Sequence, residues 1–158
     1  ISEYIKKNSS LQEHVISGNI IYTEGAKQIG KTVETLKNLD ISNNKTSNDG
    51  VKFISDCLKH NCTLKELNLS ENKITNEGVI ELSEAISMNM TLLKLNISKN
   101  WITTDGILNF LETINNRKCV IQSLNITHNN VTKSGLIKIE QSIKKLSFPL
   151  EVFVWICF

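Results

Sequence analysis

Leu64 to Asn89 reads LKELNLSENKITNEGVIELSEAISMN. Leucines at 64, 67 and 69 are followed by Asn72, Ile74 and Gly78. Apolar residues then return every fourth position at Leu82 and Ile86. The first half has the period of a strand and the second half that of a helix. The pattern starts again 28 residues later, at Leu92. A strand and a helix repeated at this period predict one turn of a solenoid, with copies of it making up the rest of the chain.

Working outward, copies are expected to start at 11, 36, 64, 92 and 121, with a partial helix over 1–10 and a partial copy over 150–158. The chain 1–158 is thus expected to be a single domain cut mid-repeat at both ends. It starts at Ile1 rather than Met, which predicts a missing or processed start. In the first copy His14 occupies a Leu slot, and the helix is three residues short. Alternation in Leu67-Asn68-Leu69 points the leucines inward and Asn68 outward on a concave parallel sheet, with helices on the convex side. Asn19, Asn44, Asn72, Asn100 and Asn129 share the slot after the strand. Their buried amides are expected to bond the backbone of adjacent turns as a ladder. Ser47, Thr75, Thr103 and Thr132, three residues before the repeat Gly, are expected to cap the helices. Gly inside a first helical turn is unfavourable, so its recurrence predicts close packing on the neighbouring copy. At the end, Leu150, Phe153 and Trp155 fit the inward slots. That leaves Val152, Val154 and Ile156 outward on a bare apolar edge strand, which predicts a truncation edge or a contact with further chain.

The pattern Leu-x-x-Leu-x-Leu-x-x-Asn-x-Ile-x-x-x-Gly, with a full helix and a 28-to-29-residue period, resembles the ribonuclease-inhibitor type of leucine-rich repeat. The phrases LKELNLSENKITNEG and LNISKNWITTDG also resemble the repeat tails of nucleotide-binding leucine-rich-repeat receptors. The fold so implied is α/β, a leucine-rich-repeat horseshoe. The function so implied is a non-catalytic scaffold or ligand-sensing segment of a larger intracellular protein. The alternative is a regulator that binds an enzyme, as nuclease inhibitors and GTPase activators built on similar repeats do.

Composition narrows the partners. A net charge of +2 over 158 residues argues for neither nucleic acid nor an anionic membrane. No apolar run approaches the length that spans a bilayer. Cys57, Cys62, Cys119 and Cys157 show no metal-ligand spacing with the three histidines, and Cys62 and Cys119 stand two copies apart, beyond disulfide reach. Reduced thiols in a cytoplasmic setting are expected. Gly25-Ala-Lys-Gln-Ile-Gly30-Lys31-Thr32 matches the P-loop formula, yet its first half fills repeat slots, and the next strand begins too soon for the required helix. No cofactor, metal or catalytic set is expected. Eight Asn-x-Ser/Thr sequons occur; Asn68, Asn96 and Asn125 share one strand slot, which reads as repeat duplication rather than glycosylation.

The expected partner is therefore another protein, with no small-molecule substrate. The candidate contacts are the outward positions: Asp40, Asn68, Asn96 and Asn125 in a central column, Glu66 and Lys94 on one side, Glu71, Lys99 and His128 on the other. Trp101 is a further candidate, since its slot elsewhere holds Ile20, Lys45, Lys73 and Asn130 and is expected to be exposed.

Overall fold

A computed structural model of the protein describes residues 12–30, 35–116 and 119–154. The elements alternate: β1 (Glu13–Val15), α1 (Tyr22–Gly30), β2 (Asn38–Asp40), α2 (Ser47–Leu58), β3 (Glu66–Asn68), α3 (Asn76–Met88), β4 (Lys94–Asn96), α4 (Thr104–Asn115), β5 (Ser123–Asn125), α5 (Lys133–Ile143) and β6 (Glu151–Phe153). The strands form one sheet in the order β1-β2-β3-β4-β5-β6. Every pair is parallel, and Leu39, Leu67, Leu95 and Leu124 stand in register. Parallel neighbours require a crossover, which each helix supplies. The partial helix expected over 1–10 and the copy start at Leu11 lie outside the described residues.

The core is the column of repeat slots. Leu64, Leu67, Leu69, Ile74, Leu82 and Ile86 of the quoted copy are all buried, as are their equivalents Leu92, Leu95, Ile97, Ile102, Phe110 and Ile114. The expected amide ladder runs through the middle. Asn72 Nδ2 donates to Ile41 O of the preceding copy and to Leu69 O and Ser70 O of its own. Its Oδ1 accepts from the backbone of Asn44 and Thr46. Asn129 continues the ladder more sparsely. The first rung differs from expectation. Asn19 is exposed and, among the described residues, bonds Ile16 O and Ser17 O of its own turn. Correspondingly, Asn44 Oδ1 is buried without a partner among the described residues.

Three further expectations need correction or refinement. Of the proposed caps, only Thr132 accepts a helix N–H, from Gly135 at 3.0 Å. The hydroxyls of Thr75 and Thr103 instead accept from Asn48 and Asn76 of the preceding copy. Ser47 is already inside α2, with Thr46 at the cap position. Inter-repeat bonding thus takes over the role of local capping. The recurring Gly does mark close approach: a Cβ at Gly78 would lie 2.6 Å from Asn48 Oδ1 of the preceding copy. The last strand is slipped by one residue from the expected register. Val152, not Phe153, pairs with Leu124. A slip of one reverses every side chain. Val152 and Val154 therefore pack on the core, while Glu151 and Phe153 face outward. The reversal puts the charged Glu151 in solvent, and the outward apolar row expected of Val152 and Val154 does not exist. Trp155, Ile156 and Cys157 lie outside the described residues.

His14 does occupy the Leu slot, opposite Leu39. Its Nε2 is buried with no partner among the described residues, and burial lowers its pKa from the ordinary 6.5. The unfolded chain therefore takes up a proton near pH 6.5 that the folded chain resists. More protons on the unfolded state means that stability falls with pH below about 6.5, until the folded value is passed. Thermal unfolding at pH 7.5 and 5.5 is expected to show a loss of stability that His14→Leu abolishes. Equal pH sensitivity in both proteins would refute this role.

Candidate functional site

The outward column of the sheet begins with Val15 and runs through Asp40, Asn68, Asn96 and Asn125 to Phe153. It forms the floor of a trough of about 430 Å³, walled by Glu13, Asn38, Glu66, Lys94 and Ser123. Each polar side chain of the floor is fixed by its own turn. Asp40, Asn68, Asn96 and Asn125 accept through Oδ1 from the backbone N–H of Ser42, Ser70, Ser98 and Thr127, at 2.9 to 3.1 Å. Such side-chain turns end the strand without another backbone partner. The hydroxyls of Ser70 and Thr127 add a second bond to the same oxygen. That bond is a structural reason for Asn-x-Ser/Thr at this slot, beside repeat duplication. With Oδ1 committed, Nδ2 of each amide is left toward the trough. Asn68 gives it to Asp40 Oδ2 at 2.9 Å. Asn96 and Asn125 keep theirs without an acceptor among the described residues.

The charged candidates pair with one another across neighbouring copies. Lys94 Nζ meets Glu66 at 2.8 Å and Lys99 Nζ meets Glu71 at 2.9 Å. The acidic third copy and basic fourth copy thus offset each other on the sheet face. These pairs are exposed and contribute about 0–1 kcal/mol each. They are placed by adjacency, since 28 residues separate the members of both pairs.

The rim column after the strand is held by unusual backbone. Asn43, Glu71, Lys99 and His128 all have φ between 53° and 59°. This left-handed region costs a non-Gly residue free energy, which the surrounding ladder offsets. The result is a rim whose side-chain directions are set by the fold. Two residues further on, Trp101 is 52% exposed, as expected of its slot. Lys73 Nζ of the preceding copy lies 5.4 Å from its ring centroid, a cation–π arrangement. The backbone N–H of Trp101 donates to Ile74 O at 2.8 Å, tying the turn to the preceding copy. Phe153 is the outward residue that the sequence reading missed. The slipped register hid it.

The described part of the P-loop match is helical rather than a loop. Gly25 to Gly30 lie inside α1, with Ile29 buried as a core residue. Lys31 and Thr32 lie outside the described residues. Among the described residues Cys57, Cys62 and Cys119 form no disulfide with one another, and burial pushes the Cys119 thiol up. Among the described residues no helix is long and apolar enough to cross a membrane.

Residues 60–83, 89–111 and 117–139 match the family model described as Leucine Rich repeat. The fold is a leucine-rich-repeat solenoid. No curated protein matches this leucine-rich-repeat chain. Among solved structures it is similar to the leiomodin-1 actin-binding site 2, with a TM-score of 0.70 at 16% identity, covering 84% of this chain and 78% of that one. It is also similar to the tropomodulin C-terminal domain of Caenorhabditis elegans, with a TM-score of 0.59 at 14% identity, covering 98% and 80%. At these identities the likeness is one of fold.

Proposed function

We propose that this leucine-rich-repeat chain is a non-catalytic protein-interaction module that docks its partner in the sheet trough and on the Trp101 rim. The observation that carries this reading is the exposed Trp101, held by an inter-repeat bond beside an open row of oriented amides. Large aromatics at interface centres dominate binding energy, and solenoids present such extended faces. The leiomodin-1 domain is named for an actin-binding site, which makes actin the first partner to test. The repeat period and full helices support the ribonuclease-inhibitor subtype, within which the receptor-tail reading gives the same face to ligand sensing. The thiols support a cytoplasmic setting.

The test combines capture from cell extract with titration of purified actin. Trp101→Ala is expected to weaken partner binding about thirty-fold, the size of a hot-spot loss. Asn96→Arg in the trough should act in the same direction. A partner bound equally by wild type and both variants would move the site elsewhere. No specific partner at all would overturn the module reading.

A further inference from the structure

The helical face carries a pattern independent of the trough. Two residues beyond the repeat Gly, the successive copies hold Lys27, Lys52, Ile80, Leu108 and Ile137. The slot is charged in α1 and α2 and becomes apolar in α3, α4 and α5. Ile80 is 40% and Ile137 58% exposed, and Leu108 is partly buried. Three apolar side chains thus form a stripe running across three adjacent helices.

The charges flanking the stripe are sorted. Helix α3 carries Glu77, Glu81 and Glu84, and α4 carries Asp105 and Glu112; neither helix holds a Lys or Arg. Helix α5 and its end carry Lys133, Lys138, Lys144 and Lys145 against one acid, Glu140. Lys59, at the end of α2, is the base that feels Glu81 and Glu84, and it is already bonded to Asp56 at 3.0 Å. The face is therefore acidic over α3 and α4, mainly basic over α5, and apolar along the line joining them.

Two twofold axes follow the pattern of this face, one along the stripe and one along the helices. An axis along the stripe sets Glu81 against Glu81, a like-charge contact. An axis along the helices above Leu108 sets α3 against α5 of a second copy and α4 against its own copy, which confines the like-charge contacts to Asp105 and Glu112 of α4. Ile80 then meets Ile137, and Glu81 meets Lys138 in the same repeat slot. We propose that a second copy of this chain docks on the helical face in this second arrangement, an isologous contact centred on Leu108. Three helices about 10 Å apart and about 18 Å long offer roughly 1,100 Å² over both copies, at the low end for a specific interface. The contact is accordingly a weak one, with half-dimerisation expected at tens of micromolar.

Sedimentation velocity over a concentration series tests this on the whole chain. A dimer is expected at low salt, weakened several-fold at about 0.5 M salt by screening. Ile137→Glu should abolish it, and circular dichroism would verify that the exposed site leaves folding intact. Glu81→Lys alone and Lys138→Glu alone should each weaken it at least ten-fold, while the two together restore it. Trp101→Ala should leave it unchanged, which separates this surface from the trough. A monomer at hundreds of micromolar in low salt would overturn the proposal. So would a dimer indifferent to Ile137→Glu and to the charge exchange.

Discussion

Asn100→Ala is expected to lower stability by on the order of 5 kcal/mol, enough to open the centre of the solenoid. Asn100 is 3% exposed and makes five hydrogen bonds. Its Oδ1 accepts from the backbone of Asn72 and Ile74, at 2.9 and 3.0 Å. Its Nδ2 donates to Leu69 O, Ile97 O and Ser98 O. Alanine leaves all five backbone groups without this partner in a site closed to water. Each orphaned group costs about 1–3 kcal/mol, less whatever relaxation recovers. Asn100→Asp separates the two halves of the rung. It keeps the acceptor but aims a carboxylate at three carbonyls, so it should destabilise at least as much as alanine. Asn19→Ala is the internal comparison: the exposed first rung should cost under about 0.5 kcal/mol. Urea unfolding of the three variants measures all of this. A loss below about 1 kcal/mol for Asn100→Ala would show that the ladder is dispensable.

The second large effect is expected at Gly78→Val, a loss of about 2–4 kcal/mol. The new Cβ would press on Asn48 Oδ1 and on Ile74 Cγ2, at 2.6 and 2.9 Å before any movement. Asn48 cannot simply swing away. Its Oδ1 accepts from Thr75 N–H at 3.0 Å and its Nδ2 donates to Thr75 Oγ1 at 2.8 Å. Displacing it breaks the bonds that stand in for a local cap on α3. Gly78→Ala should be milder, because alanine's helix preference, worth about 1 kcal/mol, offsets part of the clash. For a chain of this size the valine loss corresponds to a fall in Tm of roughly 6–12 °C. An unchanged Tm for Gly78→Val would mean that adjacent copies do not pack through this glycine.

The interior was legible because its demands are periodic. Leu67 and Leu95 must fill the same slot in successive copies, and Asn72 and Asn100 must bond equivalent carbonyls. Chemistry that recurs at 28 residues announces itself in the sequence. The edges lack that redundancy. Near Phe153 both faces of the strand are rich in apolar residues, so alternation alone did not fix which row turns inward; the backbone register chose Val152. Thr75 and Thr103 looked like local caps because spacing within one copy cannot reveal a donor from the previous one. The outward candidates were placed on the sheet face by alternation, and Trp101 on the rim by its slot. The neutralising pairs Glu66–Lys94 and Glu71–Lys99 were also present in the repeat alignment. They go unnoticed when each copy is read alone.

The sequential strand order has a consequence for how such a chain can change over time. Each strand touches only the strands next to it in sequence. A whole copy can therefore be duplicated or deleted without altering the kind of neighbour any other copy meets. Removing one would shift Trp101 relative to Phe153 by one inter-strand step, about 4.8 Å. The sheet face thus behaves as a ruler with fixed graduations, and the distance between two contacts on it is set by counting units rather than by redesigning either contact.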